Sequence, residues 1–145
     1  MPTFNVGCPI RVTLEAIRQI WLLTNLFIGS GFVNTAEMTL VCMRKIYIGY
    51  HVTTSWNTLL MDTDFHATID TITGKTNPYT SSIEIGDNVW VCTRAVVLKG
   101  SKIPNGCIVG ANAVVTSKYS SEHALIAGNP AVIKKTHITM QCERQ

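Results

Sequence analysis

The chain has 145 residues and a formal net charge of +3, with 46% hydrophobic and only 14% charged residues. That length suits one domain with a continuous core. With no Lys/Arg run and no aromatic-interleaved basic patch, nucleic acid is a poor partner.

In chain order, Met1–Gly7 has no basic region followed by an apolar stretch, so no signal peptide is expected. Ile20–Ile28 is interrupted by Thr24 and Asn25 and is too short to span a bilayer. Between Thr13 and Phe27 two periods compete. Leu14, Ile20 and Leu26 recur every sixth residue, whereas Leu14, Ile17 and Trp21 would line a helix face capped by Thr13. Because clearer β rungs follow directly, irregular rungs are expected over residues 1–40. Ile28-Gly29-Ser30-Gly31-Phe32 opens another rung, after which the phase slips.

A six-residue register then links Ile48, Thr54 and Leu60, with companions Ile46, Val52 and Thr58, and reaches back towards Cys42 and Leu40. It breaks at Asp62-Thr63-Asp64-Phe65-His66. Thr73-Gly74-Lys75-Thr76-Asn77-Pro78 is turn chemistry, so residues 62–82 or thereabouts form a protruding loop, the kind of segment where function concentrates.

From Ile85 the period is unbroken: Ile85, Val91, Val97, Ile103, Val109 and Val115. Ile and Val make up 28 of the 145 residues, so six hits in six slots are not a chance run. The fourth residue after each of the first five anchors is compact: Val89, Ala95, Ser101, Cys107 and Ala113. A period of six fits neither a helix nor a lone strand; it is the mark of a hexapeptide-repeat parallel β-helix. Regular rungs are expected over 83–116, and a polar connection, a Gly128-Asn129-Pro130-Ala131 loop and a tail over 117–145. Three hexads make one triangular coil, stacked at ~4.8 Å. Its interior is too narrow for a ligand, so any site lies outside, against a loop or a neighbouring subunit, which points to an oligomer.

The five cysteines (Cys8, Cys42, Cys92, Cys107, Cys142) have no CxxC spacing. They read as free thiols in a reduced cytoplasm rather than as disulfides or a metal site.

Four segments together carry a family resemblance: Ile48-Gly49 through Ser55-Trp56-Asn57; Met61-Asp62-Thr63-Asp64-Phe65-His66; Ile83-Glu84-Ile85-Gly86-Asp87-Asn88-Val89-Trp90-Val91; and Ala127-Gly128-Asn129-Pro130-Ala131. Over residues 28–135 the chain resembles the left-handed β-helix acyltransferases, in the branch of sugar and polysaccharide O-acetyltransferases. The resemblance implies an all-β, left-handed fold, an exception to the right-handed crossover rule. It also implies a homotrimer with sites between subunits, acetyl-CoA as donor, and a sugar or glycan-precursor hydroxyl as acceptor. No metal is expected.

By the same resemblance His66 is the general base, and imidazole chemistry suits that role near neutral pH. Transfer is direct, without an acyl-enzyme. Asp62 and Asp64 either orient His66 or bind the acceptor, or are structural turn residues. Asn57 matches an asparagine beside the acceptor pocket, and asparagine also stacks well at β-helix corners. Trp90, Cys92 and Thr93 fall where the family contacts the thioester, with a backbone N–H after the rung facing the acyl oxygen; Trp90 also reads as a packing residue between subunits. Ala111 and Thr116 would line the pantetheine groove. Gly128, Asn129 and Pro130 belong to the loop that closes over the cofactor, and Lys118 together with Lys134 or Lys135 would meet its phosphates.

The chain departs from the pattern in lacking a basic residue between Ala131 and Val132 and in having Ser117 where a lysine is usual. Those departures and the irregular N-terminal region leave a second reading open, a non-catalytic β-helix scaffold that no longer binds CoA. A zinc lyase of the γ-carbonic anhydrase type needs three histidines, two of them closely spaced. His51, His66, His123 and His137 do not provide that spacing.

Overall fold

The computed structural model describes residues 17–21, as backbone, and residues 25–141. Its strands stack into three sheets that form the faces of a triangular prism, a left-handed parallel β-helix. The first face holds β2 (Leu26–Ile28), β5 (Ile46–Ile48), β10 (Ile83–Ile85) and β13 (Lys102–Ile103). The second holds β3 (Val33–Ala36), β6 (Thr53–Trp56), β11 (Trp90–Val91), β14 (Ile108–Val109), β16 (Leu125–Gly128) and β17 (Ala131–Lys135). The third holds β1 (Ile17–Trp21), β4 (Met38–Val41), β7 (Leu59–Met61), β12 (Val96–Leu98) and β15 (Val114–Val115). The stretch with two competing periods thus contains a strand, β1, that pairs parallel with β4; Leu14 and Thr13 lie outside the described residues.

The period of six is a packing requirement. Each anchor points into the prism and lies directly on its counterpart one coil away: Ile28, Ile48, Ile85 and Ile103 on the first face, and Leu40, Leu60, Val97 and Val115 on the third. All six anchors of the regular block and all five compact residues are at most 1% exposed. Full burial of one such branched side chain contributes about 1.5–3 kcal/mol, and the interior leaves no room for anything else.

The phase does not slip after Phe32. Ile28, Asn34 and Leu40 keep the six-residue step, and Asn34 stacks on Thr54, whose hydroxyl donates to its Oδ1 at 2.9 Å. A polar residue fills an inward slot, which hides the rung from a hydrophobic pattern. The real shift comes at the next corner, where Ile28 pairs with Ile48, a coil two residues longer than that from Ile85 to Ile103.

Two corners are built from residues with left-handed backbone. One column runs Gly31, His51, Asn88, Gly106 and His123, all at positive φ. His51 lies against Gly31 and His123 against Gly106, so closely that a Cβ on either glycine would collide with the ring beside it. The other column, between the second and third faces, runs Glu37, Asn57, Arg94 and Asn112, again all at positive φ.

Between β7 and β10 the chain leaves the prism as a hairpin of β8 (Thr68–Ile69) and β9 (Thr76–Asn77), antiparallel to each other. Asp70 accepts N–H bonds from Ile72 and Thr73 at its tip, and these hold its carboxyl below the usual carboxylate range. At the C-terminus β17 turns back antiparallel on β16 and closes the edge of the second face.

Candidate active site

The functional candidates lie at two corners on either side of the third face. His66 sits on the hairpin, at the corner leading from the third face to the first; it is exposed, and no side-chain partner is in reach among the described residues. It follows Phe65, which has φ 59°. The other three histidines, His51, His123 and His137, themselves occupy left-handed positions that shape turns. The His51 and His123 rings pack against Gly31 and Gly106, whereas nothing among the described residues engages the His66 ring.

Asp62 does not orient that imidazole. It is completely buried, and its carboxylate accepts the backbone N–H groups of Met43, Arg44 and Lys45 at 2.7, 2.7 and 2.8 Å. Those three amides belong to the enlarged corner, whose backbone donors would otherwise go unpaired. The Asp62 carbonyl also receives the returning chain through Ser81 N–H at 3.0 Å. Asp62 therefore ties the hairpin root to the coil below it. Asp62→Ala is expected to destabilise the protein by about 2–3 kcal/mol, because three part-buried backbone donors lose a buried, charged acceptor. Urea unfolding checks this; a loss under about 1 kcal/mol would contradict the assignment.

Asp64 is partly exposed and pairs with Lys99 at 2.6 Å. Lys99 also donates to the Pro78 carbonyl at 2.7 Å, so one ammonium holds both arms of the hairpin root, together with the Thr63–Thr80 bridge. Lys99 carried no signal in the sequence, because its partners lie on the other side of the protruding loop. An exposed pair of this kind contributes little stability; its effect is to fix the direction in which the loop leaves the prism.

The other corner carries Asn57, Cys92, Thr93 and Ala111. Asn57 is exposed in the left-handed column, in line with Arg94 and Asn112. Trp90 lies on the outer side of the second face, and its indole N–H donates to Ser55 Oγ at 3.1 Å. Of the two amides after β11, Cys92 N–H is committed to the Val109 carbonyl at 2.9 Å. Thr93 N–H finds no acceptor among the described residues, so Thr93 rather than Cys92 is the backbone donor left for a ligand oxygen. Burial pushes the Cys92 and Cys107 thiols up, and burial together with the Asp62 charge pushes Cys42 up to about 11. These three cysteines are free. Being protonated at neutral pH, none of them is an activated nucleophile.

Thr116 and Lys118 lie at the corner between the third and first faces, apart from Thr93 and Ala111. Lys118 lines a cleft of about 450 Å³ with Arg44 and Lys102 beside the hairpin-root residues Thr80 and Ser81. Gly128, Asn129 and Pro130 form the tight link between β16 and β17, with Gly128 at φ 101° and a cis Asn129–Pro130 bond. That segment is the turn of a hairpin in the second face. Lys134, on β17, is exposed and lies on a different face from Lys118. Arg94 and the half-exposed Trp56 flank Asn57 and went unnoticed in the sequence. The hairpin inserts residues between Asn57 and Arg94 and so conceals their stacking.

Residues 82–117 match the family model described as bacterial transferase hexapeptide (six repeats). Over those residues the chain carries hexapeptide repeats, and its fold is a left-handed β-helix. This hexapeptide-repeat chain is 28% identical over 111 residues to a galactoside O-acetyltransferase of Lactococcus lactis subsp. lactis (strain IL1403), covering 77% of this chain and 53% of that one. Its fold is similar to that of the polysialic acid O-acetyltransferase OatWY, with TM-score 0.75 and 25% identity over 83% of this chain and 57% of that one. It is also similar to a maltose O-acetyltransferase from Clostridium difficile 630, with TM-score 0.68 and 25% identity over 95% of this chain and 68% of that one. The hexapeptide-repeat chain spans at most about half the length of the curated relatives it matches. Among its described residues no three His, Cys, Asp or Glu side chains group as metal ligands, and no helix is long and apolar enough to cross a membrane.

Proposed function

We propose that this protein transfers an acetyl group from acetyl-CoA to a hydroxyl of a sugar or glycan precursor, with His66 as general base. The relatives, named as galactoside, maltose and polysialic acid O-acetyltransferases, support the reaction class. The observation that carries the assignment is that the exposed His66 side chain, without a partner among the described residues, stands on a braced hairpin at the edge of the prism. In the reaction His66 takes the acceptor hydroxyl proton as that oxygen attacks the thioester carbonyl. Thr93 N–H stabilises the oxyanion, the C–S bond breaks, and the imidazolium returns its proton to the sulfur of coenzyme A. The protonated state of Cys42, Cys92 and Cys107 favours this direct route over an acyl-enzyme.

The site is completed between subunits. His66 and Thr93 lie at opposite corners of the third face, whose outward side chains Leu59, Val96 and Val114 form one apolar ladder and Met61 and Leu98 a second. Copies packed through this face would set the His66 corner of one against the Thr93 corner of the next, and a threefold ring closes such a head-to-tail contact.

Calorimetric titration with acetyl-CoA tests the reading. Micromolar binding, on the order of −8 kcal/mol, is expected. No binding up to about millimolar concentration would remove the enzyme and leave the scaffold.

A further inference from the structure

The outer side of the first face differs in kind from that of the third. Its outward column reads Phe27, Tyr47, Glu84, Lys102 and Lys118, each paired with the next across adjacent coils. The Phe27 and Tyr47 rings stack at 4.8 Å between centroids and 5° between planes, and Tyr50 meets Phe27 edge-on at 6.2 Å. Phe27 covers one side of Tyr47, while Tyr47 also lines a cleft of about 470 Å³ that runs over Glu84 and Lys102 to Tyr119. That volume falls within the ~300–1,000 Å³ range of small-ligand sites.

From the chemistry of this cleft we infer a second binding site, for a stretch of uncharged oligosaccharide. A stacked, half-buried tyrosine offers the C–H face of a sugar ring a rigid apolar platform at little entropic cost. Beside it stand acceptors and donors for vicinal hydroxyls. Glu84 and Lys102 are 3.5 Å apart and each more than half exposed, so both keep hydrogen-bonding capacity free. Asn105 Nδ2 donates to Glu122 Oε1 at 3.0 Å, which fixes that carboxylate at the rim. The far wall is fixed by the Tyr119 hydroxyl, which donates to the Ala131 carbonyl at 2.7 Å. Two carboxylates against one ammonium in the cleft disfavour a polyanion, coenzyme A included.

This face is separate from the apolar face assigned to subunit packing and from the Thr93 corner. The site would grip a distal part of the acceptor chain while a hydroxyl elsewhere reacts. That purpose rests on reading the acceptor as a glycan, but the binding itself is measurable without catalysis.

The test is saturation-transfer NMR on the intact protein with neutral hexose oligomers (maltoheptaose, cellohexaose and a β-galactotetraose) at up to about 10 mM, where weak sugar sites are read. At least one is expected to bind, with signals strongest on C–H protons. Tyr47→Ala should weaken binding at least about tenfold and Tyr47→Phe should retain it, with Glu84→Gln intermediate. Glu84→Gln leaves the Phe27–Tyr47 stack intact, so it still reads the site if Tyr47→Ala folds poorly. Saturation by none of the oligomers, equal binding by Tyr47→Ala and Glu84→Gln, or displacement of the sugar by coenzyme A would each overturn the inference. Acetyl-CoA affinity and His66-dependent acetylation of a monosaccharide are measured separately, so failure here leaves the proposed reaction standing.

Discussion

His66→Ala is expected to lower acetyl transfer about 10²–10⁴-fold, the range for removing a general base, while leaving the fold and acetyl-CoA affinity unchanged. The side chain is exposed and unpartnered, so its truncation removes no packing and no hydrogen bond from the framework. The assay follows thiol release from acetyl-CoA with galactoside, maltose and sialic acid acceptors, alongside calorimetry of acetyl-CoA binding. Because the base acts only once both substrates are in place, the loss should appear in kcat and not in the KM for acetyl-CoA. A variant within tenfold of the native rate would take the proton-transfer role away from His66.

Val96→Glu is expected to dissociate the assembly and, with it, to abolish activity although His66 and Thr93 remain intact. Val96 is the centre of the outward ladder on the third face, flanked by Leu59 and Val114 one coil to either side. A carboxylate there would be buried without a partner in the trimer and solvated in the monomer, a difference of several kcal/mol per site. Since each subunit contributes one Val96, three such costs fall on one assembly. Sedimentation of the native chain as a trimer and of the variant as a folded monomer is the expected pair of results. A native protein that sediments as a monomer with full activity would eliminate the intersubunit site.

The two variants separate chemistry from assembly. In one chain the His66 corner and the Thr93 corner lie on opposite sides of the third face, and neither of the two clefts described above includes both. The prism is a rigid ladder of columns, so no bend within a subunit brings the corners together. The proposed assembly would place them together instead.

Much of the scaffold was written in the chain. Ile85 to Val115 could be read as six stacked anchors because each inward slot is repeated with nothing inserted, and the side chain admitted there is set by a narrow interior. The departure of the chain at Asp62 was equally visible, since a period that stops is as informative as one that runs; His66 stood out only through the family resemblance of the segment around it. Asn34 was not readable as an inward residue, because it meets its buried partner Thr54 only across a coil. The choice between roles for Asp62 stayed open for the same reason. Two carboxylates spaced either side of Thr63 look alike in sequence, yet one is sealed against three amides 17 to 19 residues earlier and the other is held by Lys99.

Local spacing is enough for the repeat, most of the inward columns and the loop, while the candidate base came from the family resemblance of the Met61–His66 segment. That Asp62 ties the hairpin root to the coil below, that Thr93 N–H after β11 lacks an acceptor among the described residues, and that aromatic rings on β2 and β5 stack appear only in the folded chain. Each of these depends on pairing across coils, and coil length varies here with every corner extension and with the hairpin itself. A hexad fixes which way a side chain points; the length of the coil fixes what it meets.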